Sequence, residues 1–141
     1  MQRLRLFVLA FSTIVMCACH WTERSGTCVP ITSATRVMVQ SLPPGTANAD
    51  HVIQDPSRVH DLIAFANARR KVSQPSLYAM PAPQVISLFY SGGNSVGAIG
   101  AGPNFFFVSC SHWKGVRDAT PAEIGEFQRL IGSSDEKRTH R

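Results

Sequence analysis

Residues Gln84 to Cys110 read QVISLFYSGGNSVGAIGAGPNFFFVSC, and this stretch decides the fold. Gln84 to Tyr90 becomes apolar on both alternating faces in its second half, the pattern of a strand inside a sheet. Ser91-Gly92-Gly93-Asn94 supplies a hairpin turn, because glycine reaches the positive φ that tight turns need. Ser95 to Gly100 is a short, glycine-broken strand. Gly102-Pro103-Asn104 makes the next turn, and Phe105 to Cys110 (FFFVSC) is the third strand. The result is a meander.

Outward toward the N-terminus, Arg36 to Leu42 (RVMVQSL) carries β-branched residues with partial alternation and stops at Pro43-Pro44-Gly45, a further strand. Thr46 to Gln54 reads as a loop. Asp55-Pro56 then opens a helix: Asp55 accepts from backbone N–H groups, and Pro56 stands where a missing donor costs nothing. Val59, Leu62, Ile63 and Ala66 follow at helical spacing on one face. Arg69-Arg70-Lys71 falls in the last turn, where positive charge suits the helix dipole and solvent. Val72 to Pro83 holds Pro75, Pro81 and Pro83, so it is expected as an extended crossover that lays Tyr78 and Met80 on the core.

Toward the C-terminus, Thr120-Pro121-Ala122-Glu123 is a capping box. Ile124, Phe127, Leu130 and Ile131 form an apolar stripe, and Gly132 is the stop. Ser133 to Arg141 is charged and expected to be disordered. The fold class expected is α+β in two layers: an antiparallel sheet of about four strands, in the order β-α-β-β-β-α, with two helices on one face.

The 141-residue chain opens on a different kind of signal. Arg3 and Arg5 precede an apolar run, Leu6 to Met16, of secretory-signal length and too short to span a bilayer comfortably. It closes on Met16-Cys17-Ala18-Cys19. This ending resembles the lipobox of bacterial lipoproteins, in which a small residue precedes an obligatory cysteine. Ala18 fills the small position, and Met16 stands where the class prefers Leu. The resemblance implies cleavage before Cys19 and a lipid-modified Cys19 that anchors the chain in a cell-envelope membrane. His20 follows, rather than the Asp of inner-membrane retention, which leans toward the outer membrane facing the periplasm. The organisation expected is a signal peptide at 1–18, a lipidated tether at 19–33, one domain at 34–132 and a tail at 133–141.

With Cys17 removed and Cys19 lipidated, Cys28 and Cys110 remain. An oxidising compartment favours a disulfide between them; two free thiols are the alternative. Without Arg3 and Arg5 the formal charge falls from +5 to +3. Arg69-Arg70-Lys71 is the one basic triplet, far from the dense basic stripe with interleaved aromatics of a nucleic-acid reader.

Candidate chemistry is thin. Asp50, His51, Asp55, His60 and Asp61 cluster within a short stretch, but no pair has the helical spacing of a histidine zinc motif, and a capped helix start explains them. Cys110-Ser111-His112 offers a thiol and an imidazole, yet Cys110 also reads as a disulfide partner and His112-Trp113 as the start of a loop. The glycines of 91–102 lie between strands, where hairpin turns explain them better than phosphate binding. No cofactor or metal is implied.

Phe105, Phe106 and Phe107, near Phe89 and Tyr90, form the densest aromatic region. On a strand Phe105 and Phe107 point one way and Phe106 the other. Helices on one face leave at least one ring on the other, which is a candidate interaction surface unless the crossover Val72 to Pro83 or the N-terminal segment covers it. The function expected is a cell-envelope lipoprotein with a small protein-binding or scaffold domain. The alternative is a periplasmic enzyme with a His/Asp or Cys/His site.

Overall fold

The computed structural model describes residues 24–43, 50–74 and 80–132. The chain runs β1 (Arg24–Thr27), β2 (Arg36–Ser41), β3 (His51–Ile53), α1 (Pro56–Ala68), β4 (Lys71–Gln74), β5 (Val85–Ser91), β6 (Asn94–Ala101), β7 (Phe105–Cys110), β8 (Trp113–Asp118) and α2 (Pro121–Ile131). The strands form one antiparallel sheet of eight, in the order β1-β4-β8-β7-β6-β5-β2-β3.

The four-stranded sheet expected from sequence is therefore wrong. The meander does not end at Cys110: a tight turn at Ser111-His112 returns the chain as β8, where a loop was read. Arg24–Thr27, inside the stretch read as a tether, is an edge strand. Lys71–Gln74 pairs with β8 instead of crossing over as irregular chain, and His51–Ile53 adds an edge beside β2. These four strands are short or polar. Their pairing comes from the open N–H and C=O rows of neighbours already in place rather than from apolar alternation of their own.

Alternation in the longer strands sorts the two faces. Val37 and Val39 of β2, Ser87 and Phe89 of β5, Ile99 and Ala101 of β6, and Phe106 and Val108 of β7 are buried on one side. Val59, Leu62, Phe65 and Ala66 of α1 and Phe127 and Ile131 of α2 close over them. At the centre Phe106 meets Phe65 edge-on at 5.5 Å and Phe127 at 5.8 Å, while Phe65 and Phe127 stack at 5.6 Å.

The helix boundaries follow the local chemistry read from sequence except at the end of α1, which stops at Ala68, so that Arg69-Arg70-Lys71 lies past its last turn and Lys71 opens β4. Asp55 accepts from Arg58 N–H at 2.9 Å. Thr120 Oγ1 accepts from Glu123 N–H at 3.2 Å, and Glu123 Oε2 accepts from Thr120 N–H at 3.0 Å. Gly132 ends α2 in the left-handed region, φ +80.

Between β1 and β2 the chain crosses the helix side of the sheet as a strap, Cys28 to Thr35. Asn67 of α1 grips its middle, donating to Ile31 C=O and accepting from Ile31 N–H, each at 2.9 Å. Arg70 donates to Cys28 C=O at 2.9 Å, and Cys28 N–H donates to Arg70 C=O at 3.0 Å. Ile31 lies so close to β6 that a side chain at Gly97 would come within 3.0 Å of it. Cys28 and Cys110 pair as a disulfide, Cα atoms 5.7 Å apart and 82 residues apart in sequence.

Candidate functional site

The sheet face turned away from the helices carries an apolar field. One cross-strand row runs Val52, Met38, Leu88, Ala98; another runs Ile86, Gly100, Phe107, Val116. Phe105 lies at its margin opposite Asp118, its ring over Gly102, where any Cβ would collide with it. Pro83 rests on Gly100. Val52 is 48% exposed, and Met38, Ile86, Leu88, Phe105, Phe107 and Val116 are half-buried. None of these belongs to the core beneath the helices.

The three phenylalanines thus separate. Phe106 is fully buried against Phe65 and Phe127, whereas Phe105 and Phe107 stand on the open face. Alternation in the strand places them so, and the helices decide which side is core. Charged side chains border the field. Arg36, Lys71, Lys114 and Asp118 alternate onto the same face, and the Arg36 guanidinium sits 5.2 Å from the Tyr90 ring centre. At the β1 end an open concavity of about 480 Å³ is lined by Ser25, Thr27, Lys71, Ser73, Arg117 and Asp118.

The acid–base candidates do not converge. Asp50 accepts from Ser41 N–H at 3.1 Å, and His51 Nε2 lies 2.8 Å from Ile131 C=O. Asp55 is occupied as the α1 cap. His60 and Asp61 are exposed on α1, and His112 is exposed in the β7–β8 turn. Among the described residues no group of three or more His, Cys, Asp or Glu is placed to hold a metal ion. Cys110, disulfide-bonded, presents no thiol. Gly92, φ +61, makes the β5–β6 turn, while Gly97 and Gly100 lie within β6 beneath Ile31 and Pro83.

One cluster escaped the sequence reading. Arg69 is not a solvated end of α1. Its guanidinium lies 3.4 Å from the Phe65 ring centre and donates to Phe65 C=O at 3.0 Å. It also pairs with Glu123 and Glu126 of α2, each at 3.4 Å, and Arg117 of β8 reaches Glu123 at 3.3 Å. Arg69 Nε meets Glu123 as an ion pair, out of line for a hydrogen bond. Burial lowers the Arg69 pKa, opposed by the charges of Glu123 and Glu126. The Thr120 backbone N–H lowers the Glu123 pKa, helped by Arg117 and Arg69. The cluster ties the end of α1 to the start of α2. Glu123 and Glu126, one helical turn apart, were the available hint that a cation should face α2.

Compared with family models, curated proteins and solved structures, the chain matches none. No described helix is long and apolar enough to cross a membrane. The signal peptide, Cys19 and the 133–141 tail lie outside the described residues.

Proposed function

We propose that this chain is a lipid-anchored protein of the bacterial cell envelope whose domain acts by binding or scaffolding at the open sheet face and turns over no substrate. The observation that carries the reading is the outward placement of Phe105 and Phe107 among Met38, Ile86, Leu88 and Val116, on the side the helices leave uncovered. Contiguous apolar surface left uncovered on a small domain is a feature of interaction sites. Large rings supply much of the energy at interface centres. The scattered positions of His51, His60, His112, Asp50 and Asp61 supply no acid, base and nucleophile in reach of one substrate atom.

Anchoring at Cys19 would hold this face in the envelope, and His20 favours the outer membrane. Two measurements test the reading. Mass spectrometry of the mature N-terminus should find acyl chains on Cys19. A photo-reactive residue at position 107 in the envelope-resident protein should yield adducts that one at position 60, on α1, does not. A hydrolytic or transfer activity lost on His60→Ala or His112→Ala would replace binding with catalysis.

A further inference from the structure

We propose that the occupant of the open sheet face is an anionic phospholipid surface, that of the membrane holding the chain's own anchor; the inference rests on the lipid-anchored binding reading above. The open face carries a cationic excess. Of the strand residues alternating onto the open face, Arg36, Lys71 and Lys114 are cationic and Asp118 alone is anionic. On the helix side the carboxylates Asp61, Glu123 and Glu126 are balanced by Arg58, Arg69, Arg117 and Arg129, so that side shows no such excess. An apolar field with rings and a cationic border is the composition of a surface that rests in the interface of an anionic bilayer.

Reach points the same way. Four residues separate Cys19 from Arg24, and the five Cα-to-Cα steps of a fully extended chain span about 17 Å at most. An anchored Cys19 therefore keeps the β1 edge near the lipid headgroups, and docking of the adjoining face becomes an intramolecular event at high effective concentration. A second copy of the chain fits less well, because two such faces would bring like cationic borders together.

The test uses the whole mature chain, residues 19–141, made without the lipid as Cys19→Ser, so that only the domain can bind. Its probes are vesicles of phosphatidylcholine and phosphatidylglycerol, three to one, against vesicles of phosphatidylcholine alone. Co-sedimentation should favour the anionic vesicles and weaken with added salt. Lys114→Glu should lower that affinity roughly tenfold or more, since a basic group near an anionic surface counts for about fivefold by itself and the new carboxylate repels. Arg129→Glu, the same charge change on exposed α2, should leave it nearly unchanged. Phe107→Ser should abolish binding with thermal stability retained. Equal loss from Lys114→Glu and Arg129→Glu, or no preference for anionic vesicles, overturns the inference. If in addition a photo-reactive residue at 107 crosslinks to a protein in the envelope, the face binds protein and the broader binding reading stands. If it crosslinks to nothing, both fail.

Discussion

Phe106 and Phe107 are neighbours in sequence with opposite consequences. Phe106 is the meeting point of both helices and the sheet, so Phe106→Ala should cost about 3–5 kcal/mol in chemical denaturation. Phe107 has no place in that core, and Phe107→Ser should cost about 1 kcal/mol or less. That the two rings part was legible in the bare alternation of FFFV; which of them is core was not, because direction is set by helices far away in sequence. Glu123 shows the same limit. Its capping role was readable from Thr120-Pro121-Ala122-Glu123, but its pairing with Arg69 was not, since nothing local to Arg69 announces a carboxylate from another helix. Its pKa lies below the ordinary 4.5, held down by the Thr120 N–H first and then by the two arginines. A lowered folded value stabilises the domain above that ordinary value and ceases to do so as pH falls through the folded one. Thermal melts should therefore show that Glu123→Gln loses less stability than the native chain between neutral pH and pH 3.

Among the elements, the start of α1 and both ends of α2 were legible because they are written in single residues, Asp55, the Thr120/Glu123 box and Gly132, whereas the end of α1 at Ala68 carries no such mark. Strands β1, β3, β4 and β8 were not. RSGT and KVSQ carry little apolar pattern, and WKGVRD buries only Gly115 fully, so no period appears. They become strands because β7 and β2 offer open edges. The strap of 28–35 was likewise hidden, since the polar run His20 to Ser33 gives no hint that Asn67 reads the Ile31 backbone. Asn67→Ala removes both hydrogen bonds to Ile31 and should destabilise by about 1–3 kcal/mol. The Cys28–Cys110 link, favoured from compartment alone, closes a long loop, for which the chain-entropy model gives about 4 kcal/mol. A Cys28→Ser, Cys110→Ser double variant should lose stability of that order in urea titration, and β1 should be the first element to loosen.

At the scale of the whole molecule, the sheet is layered in stability from its middle outward. β5, β6 and β7 are paired on both sides and lie under the helices, whereas β1 and β3 are four- and three-residue edges. Amide hydrogen exchange should be slowest in β6 and fastest in β1 and β3. The position of the disulfide just after β1 also fixes how the domain bears a load. A pull on the N-terminal side of the chain reaches Arg24 first and can peel β1 from β4 one residue at a time. At Cys28 the path of force leaves the hydrogen-bonded backbone and passes through a covalent bond into β7, near the centre of the sheet. Single-molecule stretching by the two termini should then leave residues 29–109 of the oxidised protein unextended, with length gained only from β1, β8 and α2. The reduced protein should give way through the strap at lower force. The bond thus shields residues 29–109, which hold α1 and most of the sheet, from a pull that enters at Arg24, while β8 and α2 stay on the load path.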